Sequence, residues 1–111
     1  MVLAPGLEIL DERIGQGRVA RRGDTVAIAY VAVGEDGGEV DSSYAAGETV
    51  TFRIGAGRVI PGIERGVVGM REGGQRRLRV APALAFGDLG HAYGVAPGAT
   101  VVFVVELVTV E

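Results

Sequence analysis

The chain has 111 residues, 48% of them apolar and 23% charged, with a formal charge of −3. That length holds one core rather than two, and such a composition folds instead of staying disordered, so residues 1–111 are read as a single domain. All eleven basic residues are Arg, a base-composition bias; the negative balance argues against a nucleic-acid partner, and the lack of Cys excludes disulfides and thiolate metal sites.

Met1 to Leu10 carries neither a basic start nor an apolar run of leader length, and no stretch approaches a membrane span. A soluble cytoplasmic protein is the expectation. Leu7 and Ile9 suit one face of an edge strand, Asp11 to Gly17 reads as a connection, and Arg21-Arg22-Gly23-Asp24 as a turn. The first firm strand is Thr25 to Gly34, with Val26, Ile28, Tyr30 and Ala32 on one face. Glu35-Asp36-Gly37-Gly38 has the positive-φ residues of a tight hairpin turn, and Glu39 to Asp41 is the returning arm.

Ser42 to Glu48 is polar, a loop or bulge, before a second alternating strand at Val50, Phe52 and Ile54. Val59 to Met70 is the one helix candidate: Pro61 fits a first helical position, and Ile60, Ile63, Val67 and Met70 recur at helical spacing. Roughly three turns containing three glycines cannot stand alone in water, so this helix must lie against something broad and apolar. Gln75 to Val80 sets Leu78 and Val80 against Arg77 and Arg79, and the Arg76, Arg77, Arg79 cluster reads as a solvated strand edge. Ala81 to Gly98 is long for a connection and carries Phe86, His91 and Tyr93; Thr100 to Glu111 is the last strand, with Val101, Phe103, Val105 and Leu107 on one face. One helix and strands with a polar face imply an α+β fold, an antiparallel sheet of about five strands curled over the helix.

The segments Gly34 to Ser43, Val59-Ile60-Pro61-Gly62, Phe86-Gly87, and Ala99-Thr100 leading into Val102 to Leu107 together resemble the FKBP-type peptidyl-prolyl cis-trans isomerases. Each piece alone is common, and their order and separations carry the likeness from about Gly6 to Glu111. The resemblance implies a half-barrel around the helix and a shallow apolar pocket that takes a proline ring. By position its walls are Tyr30, Val40, Asp41, Val50, Val59, Ile60, Phe86, Val95 and Phe103, its floor is Ile63, and His91 sits by the mouth. It also implies that the Ile60 N–H holds a ligand carbonyl, with Tyr30 and Asp41 as the polar wall. Asp41 alone would pass for a turn cap with Ser42 and Ser43, and Tyr30 alone for a core aromatic.

Several pocket positions depart from the family pattern. Its floor is a tryptophan where Ile63 stands, its long-loop tyrosine is Phe86, and two positions usually aromatic are Val40 and Val50. The expected activity is X–Pro isomerisation in peptides or unfolded chains, by a monomer without cofactor or metal, with weakened turnover and weakened binding of macrolides such as rapamycin. The rival reading keeps the fold as a protein-binding or chaperone-like module with little catalysis, using Ala81 to Gly98 as contact surface. His91, the sole histidine, has no second ligand type at metal spacing, and Gly15-Gln16-Gly17 lacks the rest of a phosphate loop.

Overall fold

The computed structural model describes residues 1–34, 39–42, 49–85 and 98–111, with 39–42 described as backbone only. Among the described residues the strands are β1 (Val2–Ala4), β2 (Leu7–Arg13), β3 (Thr25–Val33), β4 (Glu39–Ser42), β5 (Val50–Arg53), β6 (Gln75–Val80) and β7 (Val101–Val110), with one α-helix, α1 (Pro61–Gly66), between β5 and β6 and a short 3-10 helix at Pro82–Leu84. All pairings are antiparallel, in the order β1-β2-β6-β7-β3-β4, with β5 also on β3. β3 pairs with β7 along most of its length; its other side takes β5 at Thr25 to Ile28 and β4 at Val31 to Val33.

This is the expected α+β architecture with more strands than the sequence pattern delimits. Asp11 to Arg13, read as a connection, continues β2 by pairing with β6, Arg13 opposite Gln75. β2 is not an edge either, because the chain before it folds back as β1 through a turn at Gly6, whose φ is +81°. The β3–β4 pairing stands as expected, whereas the hairpin tip at 35–38 and the polar stretch at 43–48 lie outside the described residues.

The inner face is apolar as the alternation requires. Val26, Ile28 and Ala32 of β3, Leu78 and Val80 of β6, and Val101, Phe103, Val105 and Leu107 of β7 are buried, joined by Ile63, Val67 and Met70 from the helix and the turn after it. α1 has six residues, shorter than the periodicity suggests; Val67 to Gly69 leave it as a turn, with Gly69 at a φ of +88°. Residue types explain the start: Pro61 opens the helix, and the Ile60 carbonyl accepts from the N–H groups of Ile63 and Glu64.

The glycines that weaken α1 in isolation seat it on β6. A β-carbon on Gly62 would come within 2.4 Å of a Val80 methyl, and one on Gly66 within 2.4 Å of a Leu78 methyl. The helix therefore rests its bare face directly on the strand. Gly15 and Gly17 act similarly, lying so close to Glu72 and Gly74 that a β-carbon would collide with them.

Candidate functional site

The sheet's inner face, α1 and the turn leading into it meet where the core ends in half-buried side chains. Tyr30, Val50, Val59 and Ile60 pack on the buried cluster there but keep part of their surface exposed. Beneath them Ile63 and Phe103 are buried, at 5% and 2% exposure. Tyr30 and Phe103 are diagonal neighbours across β3 and β7, their ring centres 6.2 Å apart and planes tilted by 55°. Ala32, the residue paired with Phe103, is small enough to leave space for that tilt.

Ile60 is held by its neighbours on both sides. Pro61 biases it away from helical geometry, and its φ of −60° and ψ of 147° are extended. Its carbonyl is spent on the first helical turn, while among the described residues nothing accepts from its N–H. The approach is fixed by Glu64, whose Oε2 accepts the Gly57 N–H at 3.1 Å and ties the turn after β5 to the helix. The result is an apolar rim with one amide donor and one phenol.

Six of the residues anticipated for the site belong to the core cluster or pack against it: Ile63 and Phe103 are within it, and Tyr30, Val50, Val59 and Ile60 lie half-buried on it. Val40 and Asp41 fall on β4, which pairs with the Tyr30 strand, Asp41 opposite Ala32, but their side chains are outside the described residues. Phe86, His91 and Val95 are outside them altogether. Leu84, Ala85 and Ala99 also pack half-buried on the same core, at positions that no periodic pattern marks. Among the described residues no three His, Cys, Asp or Glu side chains are grouped to hold a metal ion.

Arg76 corrects the sequence reading of the basic cluster. It is 7% exposed and points to the inner face, on a strand flanked by β2 and β7 rather than at an edge. Its Nη1 donates to the carbonyls of Gly66 at 3.0 Å and Val68 at 2.8 Å, and its Nε to Glu12 Oε2 at 2.6 Å. Strand alternation already places 76 with Leu78 and Val80, which was the available signal. Among the described residues the one carboxylate clearly shifted from its ordinary acidity is Glu72, held low because it accepts the N–H groups of Val110 and Arg18, at 2.7 and 3.1 Å.

The described residues thus form an antiparallel sheet packed over one short helix, with half-buried apolar side chains on its core. A family model described as FKBP-type peptidyl-prolyl cis-trans isomerase matches residues 16–108. The FK506-binding protein of Streptomyces anulatus is 45% identical over 106 residues, covering 94% of this chain and 86% of that protein. FK506-binding protein 2 of Yarrowia lipolytica is 42% identical over 92 residues, 83% of this chain, and the chain spans 64% of that protein's length. The crystal structure of AtFKBP13 matches with a TM-score of 0.87 at 35% identity, covering 97% of this chain and 95% of that one. The chain belongs to the FKBP-type peptidyl-prolyl cis-trans isomerases. Its reaction class is therefore rotation about the X–Pro bond.

Proposed function

We propose that the recess bounded by Tyr30, Val50, Val59 and Ile60, and floored by Ile63 and Phe103, receives the proline ring of a peptide or unfolded chain. The Ile60 N–H holds a substrate carbonyl, and Val40, Asp41, Phe86, His91 and Val95 complete the enclosure. Amide rotation is slow because resonance sets a barrier of about 18–20 kcal/mol. No bond is broken, so neither nucleophile nor metal is needed. A water-poor recess disfavours the planar, polarised amide relative to the twisted one, and a thousandfold acceleration asks for only about 4 kcal/mol.

Ile63 in place of a tryptophan and valines at 40 and 50 remove ring contacts worth about 0.5–1.5 kcal/mol each, while Phe86 in place of a tyrosine keeps the ring and loses the hydroxyl. Turnover and affinity for FK506 or rapamycin are accordingly lower than in a typical member. The observation that carries this reading is the Ile60 backbone, with an N–H unclaimed among the described residues and a φ of −60°.

That φ is also the value proline imposes, so Ile60→Pro deletes the donor while keeping the local backbone. Ile60→Ala keeps the donor and trims the side chain. With a proline tetrapeptide, kcat/KM of Ile60→Pro falls at least about tenfold below that of Ile60→Ala, the worth of one transition-state hydrogen bond. Equal values would remove the amide from the mechanism. Turnover equal to that of the Streptomyces relative in the same assay would remove the weakening.

A further inference from the structure

α1 supports the recess at its N-terminal end, yet six residues give it little stiffness of its own. Its position along and above the sheet is set from outside, and alternate residues of β6 lie directly beneath it. Val80 meets Gly62, Leu78 meets Gly66, and Arg76 takes the carbonyls of Gly66 and Val68 beyond the helix end. The two apolar contacts fix how close the helix lies. The guanidinium adds directional bonds at the C-terminal end that oppose sliding along the strand, as Glu64 Oε2 on the Gly57 N–H does from the helix's other flank.

We infer that Arg76 is a positioning residue for the isomerase reaction, anchoring the C-terminal end of α1 so that Ile60, about 9 Å away at the other end, and Ile63, midway along, keep their place in the recess. This rests on the reading that the recess is the reaction site. The geometry of the anchor is demanding. Burying an arginine is costly unless its donors are met, and here Nε goes to Glu12 while Nη1 bridges two carbonyls that the helix leaves without partners. Glu12 in turn lies on β2, so the carboxylate holds the guanidinium at one rotation while the guanidinium holds the helix. A lysine, with a single ammonium and no fork, reaches one side of that arrangement but not both.

The experiment compares Arg76→Met, Arg76→Lys and Glu72→Gln with the unaltered protein, all at a temperature where each is folded. Glu72→Gln serves as the destabilised control: its amide keeps one acceptor oxygen, so one of the two bonds from Val110 and Arg18 is lost, and none to the helix. Two readouts are taken: kcat/KM on a proline tetrapeptide, and the amide ¹H–¹⁵N shifts of Ile60 and Ile63. Arg76→Met moves both amide signals and lowers kcat/KM about tenfold, the equivalent of about 1.4 kcal/mol in transition-state stabilisation. Arg76→Lys moves the same signals less and recovers part of the rate, while the control leaves signals and rate near their starting values. Unmoved Ile60 and Ile63 signals with kcat/KM within twofold of the starting protein would overturn the assignment. Should Arg76→Met fail to fold, Arg76→Lys carries the same two comparisons. Should the unaltered protein show no isomerisation above the uncatalysed rate, the functional reading fails, and the amide shifts alone still decide whether Arg76 positions the helix.

Discussion

Gly62→Ala adds one methyl where α1 meets β6, and the structure gives the size of the collision. The new carbon would sit 2.4 Å from Val80 Cγ1, 3.0 Å from its Cγ2 and 3.1 Å from the Leu84 carbonyl oxygen. Carbon pairs settle at about 3.5–4.0 Å, so helix and strand must part by about 1 Å. Val80 cannot turn aside, because both its methyls are struck and a β-branched residue is stiff at χ1. Overpacking of this kind costs about 1–3 kcal/mol, against about 1 kcal/mol returned by the better helix propensity of alanine. The expected net loss is up to about 2 kcal/mol, a fall in Tm of up to roughly 10 °C by thermal unfolding. Val80→Ala removes the struck methyls, so in the double variant the two losses add to less than their sum by about 1 kcal/mol or more. A Tm for Gly62→Ala at or above that of the unaltered protein, or strict additivity with Val80→Ala, would refute the claim that the bare helix face is a packing device.

Glu72→Gln lowers stability at neutral pH, since the carboxylate that accepts from Val110 and Arg18 titrates below the usual 4.5 in the folded state. Its contribution is complete above that value and disappears as pH falls through the folded one, so urea midpoints of the variant and the unaltered protein converge on acidification; a gap independent of pH would contradict this. Ile63→Trp restores the floor ring and supplies the sole tryptophan of the chain, giving a fluorescence signal for rapamycin titration. Binding tightens about tenfold, one ring contact's worth, while stability drops by about 1–3 kcal/mol through crowding at a buried position. Unchanged or weaker binding would show that Ile63 does not underlie the ligand.

What the sequence made legible follows from residues whose chemistry is local. Pro61 marks the start of α1, the alternation in Thr25 to Val33 and in Val101 to Leu107 marks β3 and β7, and both follow from rules that operate within one turn or one pleat. The six described site residues were reachable because each is an apolar or aromatic residue at a position the family pattern names. Features set by partners distant in sequence were not legible. Asp11 to Arg13 has no alternation to read, and it becomes strand through β6, sixty-odd residues further on, with Glu12 meeting Arg76 across that pairing. The glycines at 62 and 66 look like weaknesses until Val80 and Leu78 are seen beneath them. Arg76 was misassigned by attention to its charged neighbours Arg77 and Arg79 rather than to its strand parity.

One edge of β3 is shared by two separate segments, β5 and β4, each with its own register, while β7 secures the opposite edge. The strand is thus a spine whose alignment does not depend on how much chain joins those two segments. Residues added between Ser42 and Val50 would leave Ile28 against Val50 and Val31 against Ser42 as they are. Doubling that connection costs only about 0.6 kcal/mol in closure entropy. It is a natural graft position, where a foreign loop can be carried without disturbing the pairings that hold β3.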